Sequence, residues 1–201
     1  VGSEMCIRDS RSAGLKMLSE EAASFLAGIL AHAKALTVLT SSTVNSYKRL
    51  KPGFEAPIYV CWGIGNRSAM VRIPEHASSR GRIRIEVRSP DPACNPYLAL
   101  AGLLMAGLDG LERGLEAPEP VNADVYKLGE EDLEALGIER LPANLGEAVE
   151  EARRDRIVEE ALGPELAKQY LALKEREWKA YLAFLESSAG SEDPEDVTSW
   201  E

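Results

Sequence analysis

Aromatic residues make up 6% of the chain, histidine occurs twice and cysteine three times. Each scarcity closes off a class of function. Cys6, Cys61 and Cys94 are odd in number and have neither metal-ligand spacing nor the even count of a disulfide framework. A reducing compartment follows, with Cys61 read as a small buried hydrophobe. His32 has no second ligand at i+4 and is expected to be structural or to cap a helix end. No run of 18 apolar residues occurs; the most apolar stretch, 97–108, is too short to span a bilayer, so no membrane partner is expected. Internal repeats and sustained heptads are also missing, which argues against a long coiled coil.

What is present is an uneven charge distribution. The formal net charge is -10, and residues 111–201 hold 24 of the 33 acidic side chains but 10 of the 23 basic ones. That half should repel nucleic acid and anionic membranes. Residues 44–96 run the other way, with Lys48, Arg49, Lys51, Arg67, Arg72, Arg80, Arg82, Arg84 and Arg88 against Glu55, Glu75, Glu86 and Asp91. Within this block, 82–88 reads R-I-R-I-E-V-R. As a strand it places Ile83, Ile85 and Val87 on one face and Arg82, Arg84, Glu86 and Arg88 on the other. Residues 69–74 and 58–64 are further short strands. The three are expected in one largely antiparallel sheet, because their connections are too short for helical crossovers. An exposed strand with a solvated polar face is the plain reading of the alternation. Arginines gathered on a strand scaffold with one carboxylate among them instead fit a polyanionic ligand held by bidentate contacts, and the carboxylate fits a hard cation bridging phosphate oxygens.

Around this block the pattern is helical. Ser19 caps an amphipathic helix over 19–35 whose buried stripe includes Ala22, Phe25, Leu26, Ile29 and Leu30, and 37–45 reads as an extended entry to the strands. Asn95-Pro96 opens a helix over 96–113 that is apolar nearly all round. A short acidic helix at 130–136 ends at Gly137, and Asn144 with Glu147 opens another over 145–162. Along 165–187, Leu166, Tyr170, Leu173, Tyr181 and Leu185 make a stripe that reads as core or subunit contact. The fold class is α+β. Residues 1–10 (VGSEMCIRDS) do not read as the start of a domain and resemble a translated adapter, so 11–201 is taken as the native portion.

Taken in order, Asn45-Ser46-Tyr47-Lys48-Arg49-Leu50, the Pro52-Gly53-Phe54-Glu55-Ala56-Pro57 loop, Gly65-Asn66-Arg67-Ser68, Arg72-Ile73-Pro74, Ile85-Glu86-Val87-Arg88 with Pro90-Asp91-Pro92, and Asn95-Pro96-Tyr97-Leu98 resemble class I glutamine synthetases, specifically the C-terminal part of the catalytic domain. The resemblance implies ATP-dependent ligation of ammonia to L-glutamate, in the cytoplasm, giving glutamine, ADP and phosphate through a γ-glutamyl phosphate, with Mg2+ or Mn2+ bound. It implies that Arg49 and Arg88 hold glutamate, that Glu55 shields the intermediate and handles ammonium, and that Arg67 contacts the transferring phosphate. Arg72 and Arg84 would face the nucleotide, as would Arg80, although an apparent inserted residue between Pro74 and Arg84 lets Arg82 compete with Arg80. Glu86 would ligate a metal. Tyr126 lies where some bacterial members carry an adenylylated tyrosine. Whole members are homo-dodecamers of two hexameric rings, completed by an N-terminal domain and further metal-binding glutamates with no counterpart in this sequence, so the chain by itself should be inactive.

Three alternatives stand beside this reading. A γ-glutamyl ligase using a larger amine shares most of the motifs. An anion- or nucleic-acid-binding module could use the arginine block, but lacks surface aromatics for base stacking. A helical interaction protein could use the 165–187 stripe.

Overall fold

The computed structural model describes the backbone of residues 4–5 and, with side chains, residues 18–50, 56–74 and 83–188. Glu55, Arg80 and Arg82 lie outside the described residues. Four strands, β1 (Glu4–Met5), β2 (Trp62–Ile64), β3 (Val71–Ile73) and β4 (Ile85–Val87), form one sheet in the order β1-β4-β3-β2. Pairing is antiparallel for β1 with β4 and for β3 with β4, and parallel for β2 with β3. The α+β class and the largely antiparallel sheet are as expected; the parallel pair is not. It forms without a helical crossover because Gly65, at φ 67°, turns the chain. The loop is then pinned from outside the sheet: the Asn66 amide donates to the carbonyls of Val121 (2.7 Å) and Ala123 (2.9 Å), and its oxygen accepts from the Ser68 amide and hydroxyl.

The expected helix over 19–35 is two helices, α1 (Glu20–Ala31) and α2 (Ala33–Thr40), bent by 75° at His32. Ser19 caps α1 through its hydroxyl, as its position ahead of two glutamates indicates. Much of the segment read as extended is therefore helical. Thr37 and Thr40 stay inside α2 because their hydroxyls donate to the carbonyls of Ala33 and Leu36, which satisfies a polar group that burial would otherwise penalise. Residues Val44–Arg49 continue as a 3-10 helix opened by a Thr43–Ser46 capping box.

α3 (Pro96–Arg113) starts on the Asn95 cap and ends at Gly114 in the left-handed region, φ 60°. It lies so close to α1 that a Cβ on Gly28 would come within 2.1 Å of the Ala106 carbonyl, and one on Gly107 within 2.2 Å of the Phe25 ring. α4 (Glu130–Ala135) is followed by α5 (Leu145–Arg154), capped by Asn144 and broken at Asp155 before α6 (Ile157–Leu162). α7 (Pro164–Ser188) returns along the molecule, with Trp178 against Gly146. Tyr170, Trp178 and Tyr181 pack inward while Leu166, Leu173 and Leu182 remain exposed, so the aromatic part of that stripe belongs to the chain's own core. The main core joins α1, α2, β3, β4 and α5. Leu26, Ile29, Leu36 and Leu39 are fully buried there, each contributing about 1.5–3 kcal/mol. No described helix is by itself long and apolar enough to cross a membrane.

Candidate active site

The alternation along 82–88 is realised where it is described: Ile85 and Val87 are 1% exposed, and Arg84, Glu86 and Arg88 share the half-buried opposite face. The register sets Arg72 of β3 directly across from Glu86 of β4. The Arg72 guanidinium forks onto the carboxylate, Nε to Oε1 at 3.1 Å and Nη2 to Oε2 at 2.6 Å. Arg88 approaches the same carboxylate from its own strand, Nε to Oε1 at 3.8 Å. These side chains are 22%, 14% and 13% exposed for Arg72, Glu86 and Arg88, so one carboxylate lies between two guanidinium groups with little water around it. The charge of the cluster is net positive, which suits a ligand carrying several negative charges.

Arg88 also organises its surroundings. Its Nη1 donates to the carbonyls of Ala69 (3.1 Å) and Arg67, fixing the loop between β2 and β3. Ser68 fixes it from the other side, its hydroxyl accepting from the Val125 amide at 3.0 Å. With Asn66 and Ser68 both occupied in anchoring, Arg67 is the residue of that motif left exposed. It lines a depression of about 490 Å³ with Gly65, Asn66, Ser68, Asn122, Asp124 and Tyr126. Arg49 enters from the 3-10 helix and donates Nη2 to the Ser89 carbonyl at 2.9 Å; its Nε is buried and makes no hydrogen bond. Tyr126 is half-buried, and its hydroxyl donates to the Ala56 carbonyl at 2.6 Å.

The structure thus brings Arg72, Glu86 and Arg88 together, ties the Arg67 loop to Arg88, sets Arg84 on the same strand face and Arg49 on the carbonyl of Ser89, and places Tyr126 in the depression that Arg67 lines. The anchoring roles of Asn66 and Ser68 were not drawn from the sequence. The signal was present, since an Asn two residues before a Ser and just after a glycine is turn chemistry in which side chains replace backbone partners. Ser89 likewise acts through its carbonyl, which no side-chain pattern reveals.

No group of three His, Cys, Asp or Glu side chains that could hold a metal ion occurs among the described residues. Glu86 offers a single carboxylate, and both of its oxygens are engaged by Arg72. A hexacoordinate cation is therefore not held by these residues alone. Thiolate chemistry is equally disfavoured: burial pushes the Cys61 thiol up to about 11, and burial also raises Cys94. His32 stands apart from the site. Its Nδ1 meets Asp155 Oδ2 at 2.6 Å and its Nε2 meets Asp109 Oδ2 at 2.9 Å, so it is structural, as expected, although at a helix bend rather than near the end of one helix.

Residues 5–189 match the model of the family described as glutamine synthetase, catalytic domain. The chain is 51% identical over 184 residues to glutamine synthetase of Thermococcus kodakarensis, covering 92% of this chain and 41% of that protein. It is 46% identical over 185 residues to the enzyme of Thermotoga maritima, covering 92% and 39%. Among solved structures it resembles a GmaS/ADP complex (TM-score 0.73, 35% identity, 86% of this chain and 39% of that one) and apo GmaS without ligand (TM-score 0.74, 35% identity, 90% and 41%). The chain spans about two fifths of the length of the curated relatives it matches. It belongs to the glutamine synthetase family and constitutes part of that family's catalytic domain.

Proposed function

We propose that this chain supplies the arginine-bearing part of an active site that uses ATP to join an amine to the side-chain carboxylate of L-glutamate. The observation that carries the proposal is the Arg72–Glu86–Arg88 cluster, continuous along its strand with Arg84 and tied through Arg88 to the loop bearing Arg67. In the reaction a glutamate carboxylate oxygen attacks the γ-phosphorus of ATP as the bond to ADP breaks. The amine nitrogen then attacks the acyl carbon, phosphate leaves with the C–O bonding electrons, and the nitrogen loses a proton. Negative charge moves onto the transferring phosphoryl oxygens and the departing ADP, where fixed guanidinium groups stabilise it without reorganisation. Arg67 faces the transferring phosphoryl group, Arg72, Arg84 and Arg80 the nucleotide phosphates, and Arg49 and Arg88 the glutamate. Glu55 handles the incoming amine. Mg2+ or Mn2+ belongs to the proposal; Glu86 would give it one oxygen by sharing an oxygen that Arg72 also holds, and the other ligands would come from outside this chain. A cytoplasmic enzyme assembled as a homo-dodecamer of two hexameric rings, with modification at Tyr126, completes it.

Two acceptors are compatible with this chemistry. Likeness to GmaS favours the γ-glutamyl ligase reading with an amine larger than ammonia, whereas the named relatives carry the ammonia reading. A chimera in which this chain replaces the matched stretch of the Thermococcus kodakarensis enzyme separates them. Glutamate- and ATP-dependent phosphate release should appear with ammonium, methylammonium or ethylammonium as acceptor. A higher kcat/KM for an alkylammonium than the host enzyme shows would support the larger-amine reading, and a host-like preference for ammonium the other. Phosphate release independent of any amine and of glutamate would overturn the ligase proposal itself.

A further inference from the structure

Arg49 is the last residue of the 3-10 helix Val44–Arg49, and its guanidinium reaches the Ser89 carbonyl, next to Arg88, at 2.9 Å. Where that short helix sits therefore sets where Arg49 sits against the end of β4. A helix of six residues has little stability of its own, and its first amides find no partner within it. The Thr43–Ser46 capping box takes one of them, the Thr43 hydroxyl accepting from the Ser46 amide at 3.2 Å. The Val44 amide is taken from outside. It donates to Glu177 Oε1 at 3.1 Å, a carboxylate of α7 that lies 133 residues further along the chain. α7 is itself fixed at this level: the Tyr170 hydroxyl donates to the Val38 carbonyl of α2 at 2.8 Å. Lys174, 12% exposed, donates Nζ to Glu177 Oε2 at 3.0 Å, so each oxygen of this carboxylate has a partner and its charge is compensated. A backbone amide held by an ionised acceptor is a stronger tie than one held by a neutral group.

We propose that Glu177 is a positioning residue for glutamate binding: by holding the Val44 amide it fixes the 3-10 helix and, through it, the Arg49 guanidinium. The proposal rests on the ligase reading, in which Arg49 and Arg88 hold glutamate. Without Glu177 the 3-10 helix loosens and Arg49 drifts from the Ser89 carbonyl, and so from Arg88. Arg72 on β3 keeps its place, because its partner is Glu86 of the neighbouring strand. Loss of Glu177 therefore weakens glutamate binding and spares the nucleotide.

Three variants test this. Glu177→Ala removes the acceptor, and Glu177→Gln keeps a side-chain carbonyl that can still accept from Val44. Glu175→Ala is the control, removing an α7 carboxylate that pairs instead with Arg153 and Lys179. In the chimera with the Thermococcus kodakarensis enzyme, Glu177→Ala should raise KM for glutamate about tenfold or more, with KM for ATP within about twofold of the parent. Glu177→Gln should bring KM for glutamate back to within about threefold of the parent, and Glu175→Ala should leave it unchanged. In the 201-residue chain, amide hydrogen exchange over 44–49 should be about fivefold faster or more in Glu177→Ala, with exchange in β4 unchanged. An unchanged glutamate KM in Glu177→Ala, an equal rise in both KM values, or the same rise in Glu175→Ala would overturn the proposal. Each would mean that α7 supports the fold without placing Arg49. No recovery in Glu177→Gln, or unchanged exchange over 44–49, would overturn it as well. Failure of the ligase reading is seen separately, as a parent chimera whose phosphate release does not respond to glutamate.

Discussion

The Arg72–Glu86 pair couples the sheet to the chemistry proposed for it. Two parallel N–H···O contacts hold a carboxylate that is 14% exposed, and Arg88 stands on its other side. Arg72→Ala would leave this carboxylate short of two hydrogen bonds in a partly dry setting and should cost about 1–3 kcal/mol, read as a lower urea midpoint. Arg72→Lys should recover less than half of that loss, because an ammonium group cannot reproduce the fork. A midpoint equal to the parent's would mean that water replaces the guanidinium without penalty. At Asn66 one amide satisfies four contacts that hold the β2–β3 loop. Asn66→Ala is expected to cost about 2 kcal/mol and to make the Arg67 loop more susceptible to proteolysis. Of these residues only the charged ones were legible in the sequence. Arginines and a glutamate on an alternating strand declare their shared face, whereas Asn66 and Ser68 act on carbonyls and amides brought in from 121–125, and a linear pattern does not encode that contact.

Helix contacts are set by the smallest residues and by one histidine. A Cβ on Gly110 would lie 2.2 Å from the Ser24 carbonyl. Gly110→Ala should therefore lower the melting temperature, since about 1–3 kcal/mol of overpacking outweighs a helix-propensity gain of about 1 kcal/mol. A more stable variant would show that α1 and α3 are not in such close contact. At the α1–α2 bend, the hydrogen bond to Asp155 raises the His32 pKa, with Asp109 adding to it against the opposing effect of burial. Burial pushes both aspartates up, but hydrogen bonds from His32, and from Arg113 on Asp109, bring them below the ordinary 3.8. The clamp therefore contributes fully above the ordinary aspartate value and below the ordinary histidine value of 6.5. It weakens as pH climbs through the raised histidine pKa and again as pH falls through the lowered aspartate values. Stability should decline as pH rises from the ordinary histidine value of 6.5 through the raised His32 pKa, and His32→Gln should flatten that slope; an equal slope in the variant would place its origin elsewhere. The hydrophobic stripe of α1 could be read from its period, but the 75° break and the helical course of α2 could not. The carboxylates that hold His32 at the break lie 77 and 123 residues away in the chain.

At the scale of the molecule, family, fold class and the arginine face were all readable because they depend on ordered local motifs. The parallel β2–β3 pairing was not, since pairing direction is decided by what pins the connecting loop. With one carboxylate at the arginine face among the described residues, the 201-residue chain alone should release no phosphate from ATP in the presence of glutamate and ammonium. Glutamine formation by the purified chain would show that its own residues complete the site. The decisive measurement is glutamate- and amine-dependent phosphate release by the Thermococcus kodakarensis chimera carrying Glu86→Gln, made beside its melting temperature. Removing one charge while keeping the side chain's shape should leave melting within about 5 °C of the parent chimera and lower turnover by about 100-fold or more at subsaturating Mg2+. Turnover within about threefold of the parent, at the same melting temperature, would contradict the assignment of phosphoryl transfer to this strand face.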